Sequence, residues 1–128
     1  RLRGRHRRTR LRPHDPLTTE DRSVFTSNHF TDSEGRPAGG STYGRGFAIA
    51  WQNGPLVDPA TGERGEPNGA FVEDIIQTVI DRLEFYQKGQ FACPENARAL
   101  GYLTCALGAL NARTEAREAR GVEGTHEV

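Results

Sequence analysis

Residues 68–88, NGAFVEDIIQTVIDRLEFYQK, constrain the fold most because they carry the pattern of one amphipathic helix. Their apolar side chains recur at the three- and four-residue steps of a single helical face: Val72, Ile75, Ile76, Val79, Leu83 and Tyr86. Asn68 is a suitable N-cap, Glu73 and Asp74 place negative charge near the positive end of the helix dipole, and Gly89 can end the helix. A helix with one apolar stripe has to bury that stripe against another element, so a packing partner is expected.

A second helix is predicted from about Pro94 to Arg120 and supplies that partner. Proline suits the first position of a helix, where its missing N–H has no helical acceptor. Four leucines step by three, four and three residues: Leu100, Leu103, Leu107 and Leu110. Residues 68–120 are therefore predicted to form an antiparallel helical hairpin. Two helices of this length enclose little core, and small residues on several faces of the second helix favour self-association, so a homo-oligomer is expected.

The stretch before the hairpin, residues 24–67, is predicted to be a loop-rich extended segment. It contains many turn-forming residues, and only residues 46–52 show the alternation of a short strand, in Phe47, Ile49 and Trp51. Trp51 is expected to be a packing anchor rather than a ligand platform. The predicted fold class is accordingly mainly α, an antiparallel helical hairpin with a short extended or β element and a disordered N-terminal segment.

Charge divides the chain into a basic start and an acidic body. Residues 1–12 contain seven arginines and no acid, whereas the other 116 residues contain 10 basic and 17 acidic side chains. Residues 1–23 are predicted to be a disordered basic leader that is dispensable for folding, with a nucleic-acid-binding arm in residues 1–12 as the alternative. The net charge of −7 on the remainder argues against long nucleic acid as a partner of the folded part. Residues 121–128 are predicted to be a flexible tail.

The sequence gives no pattern of a catalytic or metal site, so the protein is predicted not to be an enzyme and to need no cofactor or metal. Cys93 and Cys105 are 12 residues apart along one predicted helix, too far for a disulfide, and are expected to be free thiols in a reducing, cytoplasmic compartment. His126 lies between Glu123 and Glu127, and a solvated tail is preferred there over a metal site. No apolar run has the length of a transmembrane segment or follows the basic start as in a signal peptide.

The second helix resembles the helical hairpin domain of phage anti-CBASS and anti-Thoeris proteins, whose pattern is Ala-Leu, two residues, Leu, two residues, Ala. Ala99, Leu100, Leu103 and Ala106 fit that pattern, whereas residues 101, 102 and 104 differ from it. The segments GFAIAWQNGPL and NGAFVEDII and the ending from Arg117 to His126 are similar to those of small uncharacterised actinobacterial and phage proteins.

The resemblance implies a cyclic-nucleotide sponge, an oligomer of helical hairpins that holds cyclic di- or trinucleotide signals of bacterial immunity. Such a ligand needs arginines for its phosphates and aromatic rings for its bases, near a subunit interface. The helix residues of suitable type are Arg82, Tyr86, Arg98, Tyr102 and Arg113. Two alternatives remain, a self-associating structural or interaction module, and a nucleic-acid accessory that uses the arginine-rich start.

Overall fold

The structure, a computed structural model, describes residues 24–128. The elements run in the order β1 (Phe25–Thr31), β2 (Pro37–Gly44), β3 (Phe47–Ala50), α1 (Val72–Gln87) and α2 (Pro94–Ala119). The disorder and dispensability expected for residues 1–23, and the nucleic-acid arm in residues 1–12, lie outside the described residues.

A three-stranded antiparallel sheet of order β1-β2-β3 occupies the stretch that was expected to be mostly loop. The predicted short strand corresponds to β3, but β1 and β2 pair with each other and with it, so the mainly α prediction is only partly confirmed. The strands β1 and β2 lack the alternation of apolar and polar residues that predicts a strand. In β1 every residue is exposed, so neither face of that strand has to be apolar. Gly39 and Gly40 lie within β2 rather than in a linker.

The turn between β1 and β2 is fixed by Asp32. Its carboxylate accepts hydrogen bonds from the backbone N–H groups of Glu34 and Arg36 and from the Arg36 guanidinium. The backbone N–H of Arg36, followed by its guanidinium, holds the pKa of Asp32 below the ordinary value. This aspartate turn directs β2 back along β1.

Trp51 anchors the inner face of the sheet, as predicted for a packing residue. Its indole Nε1 donates to Thr42 Oγ1 at 2.8 Å, and Thr42 is paired in turn with Ser27 Oγ at 2.7 Å. Trp51 also forms a parallel bridge with Ala70, just before α1. The sheet is thereby connected to the start of the hairpin.

The first helix begins at Val72, four residues later than the sequence indicated. Asn68 is not its N-cap, because the Asn68 side chain instead accepts from Asn53 N and donates to Asn53 O, both at 2.8 Å. The helix start is held by Asp74, whose carboxylate accepts the Phe71 N–H at 3.2 Å. The Asn68 side chain, which the local sequence predicts to cap the helix, is therefore hydrogen-bonded to another loop instead.

The predicted helical hairpin is present, and α1 packs on α2. Pro94 occupies the first turn of α2 as expected, and the helix ends at Ala119. Gln87 closes the turn between the helices: its side-chain Nε2 donates to Cys93 O at 3.1 Å, and its Oε1 accepts the Cys93 N–H at 3.0 Å. One side chain thus satisfies both backbone groups of the residue that precedes α2.

Replacing Gln87 by alanine should lower the free energy of unfolding by about 1–2 kcal/mol, because both half-buried backbone groups of Cys93 lose their partner. Urea denaturation followed by circular dichroism measures the change. The matched control is Gln77→Ala, at an exposed position of the same helix, which should have little effect. Equal stability of the two variants would mean that water replaces the Gln87 side chain without loss.

The hydrophobic core is small. Among the described apolar side chains only Ile80 of α1, at 5% exposure, and Val122, at 9%, are buried. Large apolar side chains remain exposed on both layers, among them Phe25 and Phe47 of the sheet and Val79 of α1. The protomer therefore presents apolar surface that a further protein surface could cover.

Candidate functional site: an arginine end and an aromatic end of the hairpin

The five predicted ligand-binding residues fall into groups at different places along the hairpin. Arg82 and Tyr86 lie on the last turns of α1, and Arg98 and Tyr102 on the first turns of α2. Arg113 lies towards the other end of α2. This separation follows from the antiparallel arrangement of the two helices.

The aromatic end consists of Arg82, Phe85 and Tyr86. The guanidinium carbon of Arg82 is 5.0 Å from the centroid of each ring, and its Nε donates to Tyr86 Oη at 3.2 Å. None of the ion pairs among the described residues involves Arg82. Phe85, which the sequence reading did not select, is 61% exposed beside it. Exposed rings next to an oriented guanidinium can stack a base and contact a phosphate.

Arg98 and Tyr102 are one helical turn apart on α2, and both are exposed. Tyr102 has 71% of its surface accessible. They add a cation and a ring near the turn of the hairpin.

Arg113 connects the two helices. Its Nη2 lies 2.8 Å from Glu73 Oε1 on the first turns of α1. The Arg113 side chain is 61% exposed, whereas that of Glu73 is 21% exposed. A pair this accessible contributes little to stability, so Arg113 is available to a stronger anionic partner.

Arg117, one turn after Arg113, is the functional candidate that sequence reasoning missed. The Arg117 side chain is only 21% exposed, although it lies in a charged stretch of α2. Its Nε donates to Glu123 Oε2 at 3.0 Å, its Nη2 to the carbonyls of Val122 at 3.0 Å and Thr125 at 3.2 Å, and its Nη1 to the carbonyl of Glu127. We call Arg113 and Arg117 together the arginine end.

The tail segment, residues 121–128, makes several hydrogen bonds to the rest of the protein, and its flexibility stays a prediction. Besides the bonds to Arg117, the backbone carbonyl of Gly124 accepts the N–H of Val57 at 2.8 Å. Val122 is buried. The sequence does not predict these hydrogen bonds, because most of the acceptors are backbone carbonyls, which every residue type has.

Two cavities have the tail segment as part of their lining. One, of about 580 Å³, is lined by Arg36, Val57 and Asp58 together with Thr125, His126 and Glu127. The other, of about 550 Å³, shares Arg36 and those tail residues and extends to Gln52, Phe71 and Arg117. Both volumes lie in the range of small-ligand sites. His126 is thus a cavity-lining residue, and residues 24–128 contain no group of three or more side chains suited to a metal ion.

A single protomer does not bring the aromatic and arginine ends together. Arg113 lies beside Glu73, and Arg82 comes nine positions after Glu73 in α1, a distance of about 13.5 Å along the helix axis. Rings and arginines suited to one small ligand therefore sit at opposite ends of one hairpin.

Two further observations concern the cysteines and the length of the helices. Cys93 and Cys105 are both free thiols. No helix among the described residues is both long enough and apolar enough to cross a membrane. The cytoplasmic location stays a prediction.

Comparison with known proteins gives one informative similarity. No protein-family model matches the chain. The chain is 44% identical over 84 residues to the protein named Thoeris anti-defense 1 of Bacillus phage SBSphiJ7. The aligned part is 66% of this chain and 55% of the phage protein, so the chain spans little more than half the length of that relative. The chain is thus similar to a phage anti-Thoeris protein, in agreement with the relation that the hairpin pattern suggested.

Proposed function

We propose that the protein binds a cyclic oligonucleotide immune signal and holds it without cleaving it. The observation that carries this proposal is the 44% identity to a phage protein named for its action against the Thoeris defence. The oriented arginines and exposed rings of the hairpin support it, because cyclic oligonucleotides offer phosphates and bases and those are the groups that such side chains bind.

The proposed site forms between two copies of the chain. Two hairpins that pack antiparallel about a two-fold axis place the aromatic end of one copy beside the arginine end of the other. This arrangement would also cover apolar side chains that one protomer leaves open, such as Val72 at 50% and Val79 at 44% exposure. A homo-oligomer accounts in this way for both the thin core and the separated candidate residues.

Each end has its own role in the proposed site. Arg113 and Arg117 of one copy donate to phosphate oxygens, for which the planar guanidinium is well shaped. Phe85 and Tyr86 of the other copy stack a base, and Arg82, which lies over both rings, adds a cation beside them. Arg98 and Tyr102 line the approach from the turn of the hairpin. Binding of this kind involves no bond breaking, so the ligand would be released unchanged.

The test is a thermal-shift assay with cyclic di-AMP and cyclic tri-AMP, followed by denaturation and chromatography of the released nucleotide. At 100-fold excess over the dissociation constant, a ligand that binds only the folded state stabilises it by about 2.7 kcal/mol, so a clear rise in melting temperature is expected. The nucleotide should be recovered intact. Linear products would contradict sequestration, and an unchanged melting temperature with every cyclic nucleotide tried would contradict the proposed ligand class.

The second candidate function is a self-associating structural or interaction module. It is favoured by the exposed apolar side chains of both layers, such as Phe30 at 60% and Phe91 at 66%. Sizing in solution and ligand titration separate the two candidates. A module of this kind would form an oligomer that no cyclic nucleotide stabilises, whereas the sponge would show both properties.

A further inference from the structure

The guanidinium of Arg117 already uses four of its five N–H donors within its own chain. They donate to the carboxylate of Glu123 and to three backbone carbonyls of the tail segment. Carboxylate and carbonyl oxygens accept from the same guanidinium donors that phosphate oxygens would use. A phosphate can therefore bind Arg117 through two donors only if a tail oxygen leaves it.

The tail segment is fastened at a second point, Gly124. Its carbonyl accepts the Val57 N–H at 2.8 Å, and its backbone is in the left-handed region at φ +80°. A Cβ at this position would lie 3.2 Å from Val57 Cγ2 and 3.3 Å from Leu56 Cβ. Glycine is thus required both by the backbone angle and by the close approach of the loop.

These two contacts hold a segment that lines two cavities. Thr125, His126 and Glu127 line both the cavity of about 580 Å³ and the one of about 550 Å³. Movement of this segment would change the walls of both cavities and would expose the donors of Arg117 at the same time.

We infer that the tail segment is an autoinhibitory latch, in which the oxygens of residues 122–127 occupy Arg117 in place of ligand phosphates and must be displaced when an anionic ligand binds. The inference rests on the proposed function, because it concerns regulation of the same arginine end. A latch and a cover that closes over the ligand predict opposite changes in ligand affinity. Weakening a latch strengthens ligand binding, whereas weakening a cover weakens ligand binding.

Two full-length variants loosen the latch without touching the arginines. Glu123→Gln removes the charge that pairs with Arg117, and Gly124→Ala strains the contact with Val57 and Leu56. The matched control is Gly46→Ala, which has the same kind of backbone angle, φ +83°, but open space at the Cβ position in the β2–β3 turn. Affinity for cyclic di-AMP and cyclic tri-AMP is measured for each by calorimetry.

Glu123→Gln should bind the nucleotide about two- to fivefold more tightly than the wild type, the value of one partly exposed ion pair. Gly124→Ala should bind about tenfold more tightly, and Gly46→Ala should match the wild type. Hydrogen exchange adds a readout at the latch itself, because the Val57 amide should exchange faster once the wild type is saturated with nucleotide.

The outcomes separate the latch from the function on which it rests. Wild-type binding with no gain in either latch variant, or with weaker binding in both, overturns the latch and leaves sequestration standing. Binding by Gly124→Ala alone, with none by the wild type, supports a latch that is closed under the assay conditions. Absence of binding in every variant overturns both.

Discussion

Replacing Gly40 by alanine should disrupt the sheet and lower the free energy of unfolding by about 3 kcal/mol or more. A Cβ at this position would lie 2.0 Å from the carbonyl oxygen of Asn28 on β1, and the backbone has φ +124°, which side chains of L-residues rarely adopt. The obstacle is backbone on a paired strand, so no flexible side chain can move aside. Urea denaturation, with amide exchange of residues 25–31 as a local probe, measures the effect.

The control for this variant is Gly35→Ala in the β1–β2 turn. Gly35 also has a positive φ, +77°, but nothing lies within 4 Å of its Cβ position. It should therefore show the cost of the backbone angle alone. If Gly40→Ala were no less stable than Gly35→Ala, the close pairing of β1 with β2 would not exist in solution.

The glycines of β2 show why the sheet was harder to predict than the helices. The hairpin follows from local pattern, since the apolar stripe of α1 and Pro94 of α2 are both visible at helical spacing. The sheet gives no such pattern, because β1 is exposed throughout and Gly40 is needed for a contact with a residue twelve positions earlier. Strand pairing of this kind depends on contacts between residues distant in sequence, so the local sequence predicts a loop there.

Only some of the candidate site residues were selected from the sequence. Residue type alone selected Arg82, Tyr86 and Arg113, because cyclic nucleotides require cations and rings. Phe85 and Arg117 were missed for different reasons. Phe85 has the chemistry of an apolar packing residue, and its exposure is visible only in the fold. Arg117 lies in a charged repeat, and its role depends on backbone carbonyls downstream.

Arg82→Ala and Arg113→Ala should each weaken binding of the cyclic nucleotide about tenfold to a hundredfold, the value of a lost charge-assisted hydrogen bond. Both side chains are exposed, so neither change should alter the helix content seen by circular dichroism. The control is Arg45→Ala, which removes an exposed arginine of the β2–β3 turn. Equal losses in all three variants would show a general charge effect rather than a site.

The proposal that the site is shared between two copies gives a sharper test with the same two variants. In a mixed dimer, the Arg113→Ala copy retains the aromatic end and the Arg82→Ala copy retains the arginine end. One of the two sites in that dimer is then complete, whereas neither homodimer has a complete site.

The most direct measurement is therefore a titration of cyclic nucleotide into a mixture of Arg82→Ala and Arg113→Ala that has been unfolded together and refolded. Random pairing should restore high-affinity binding at about a quarter of the wild-type number of sites, although each variant alone lacks it. A mixture that binds no better than its separate components would contradict a site shared between two copies of the hairpin.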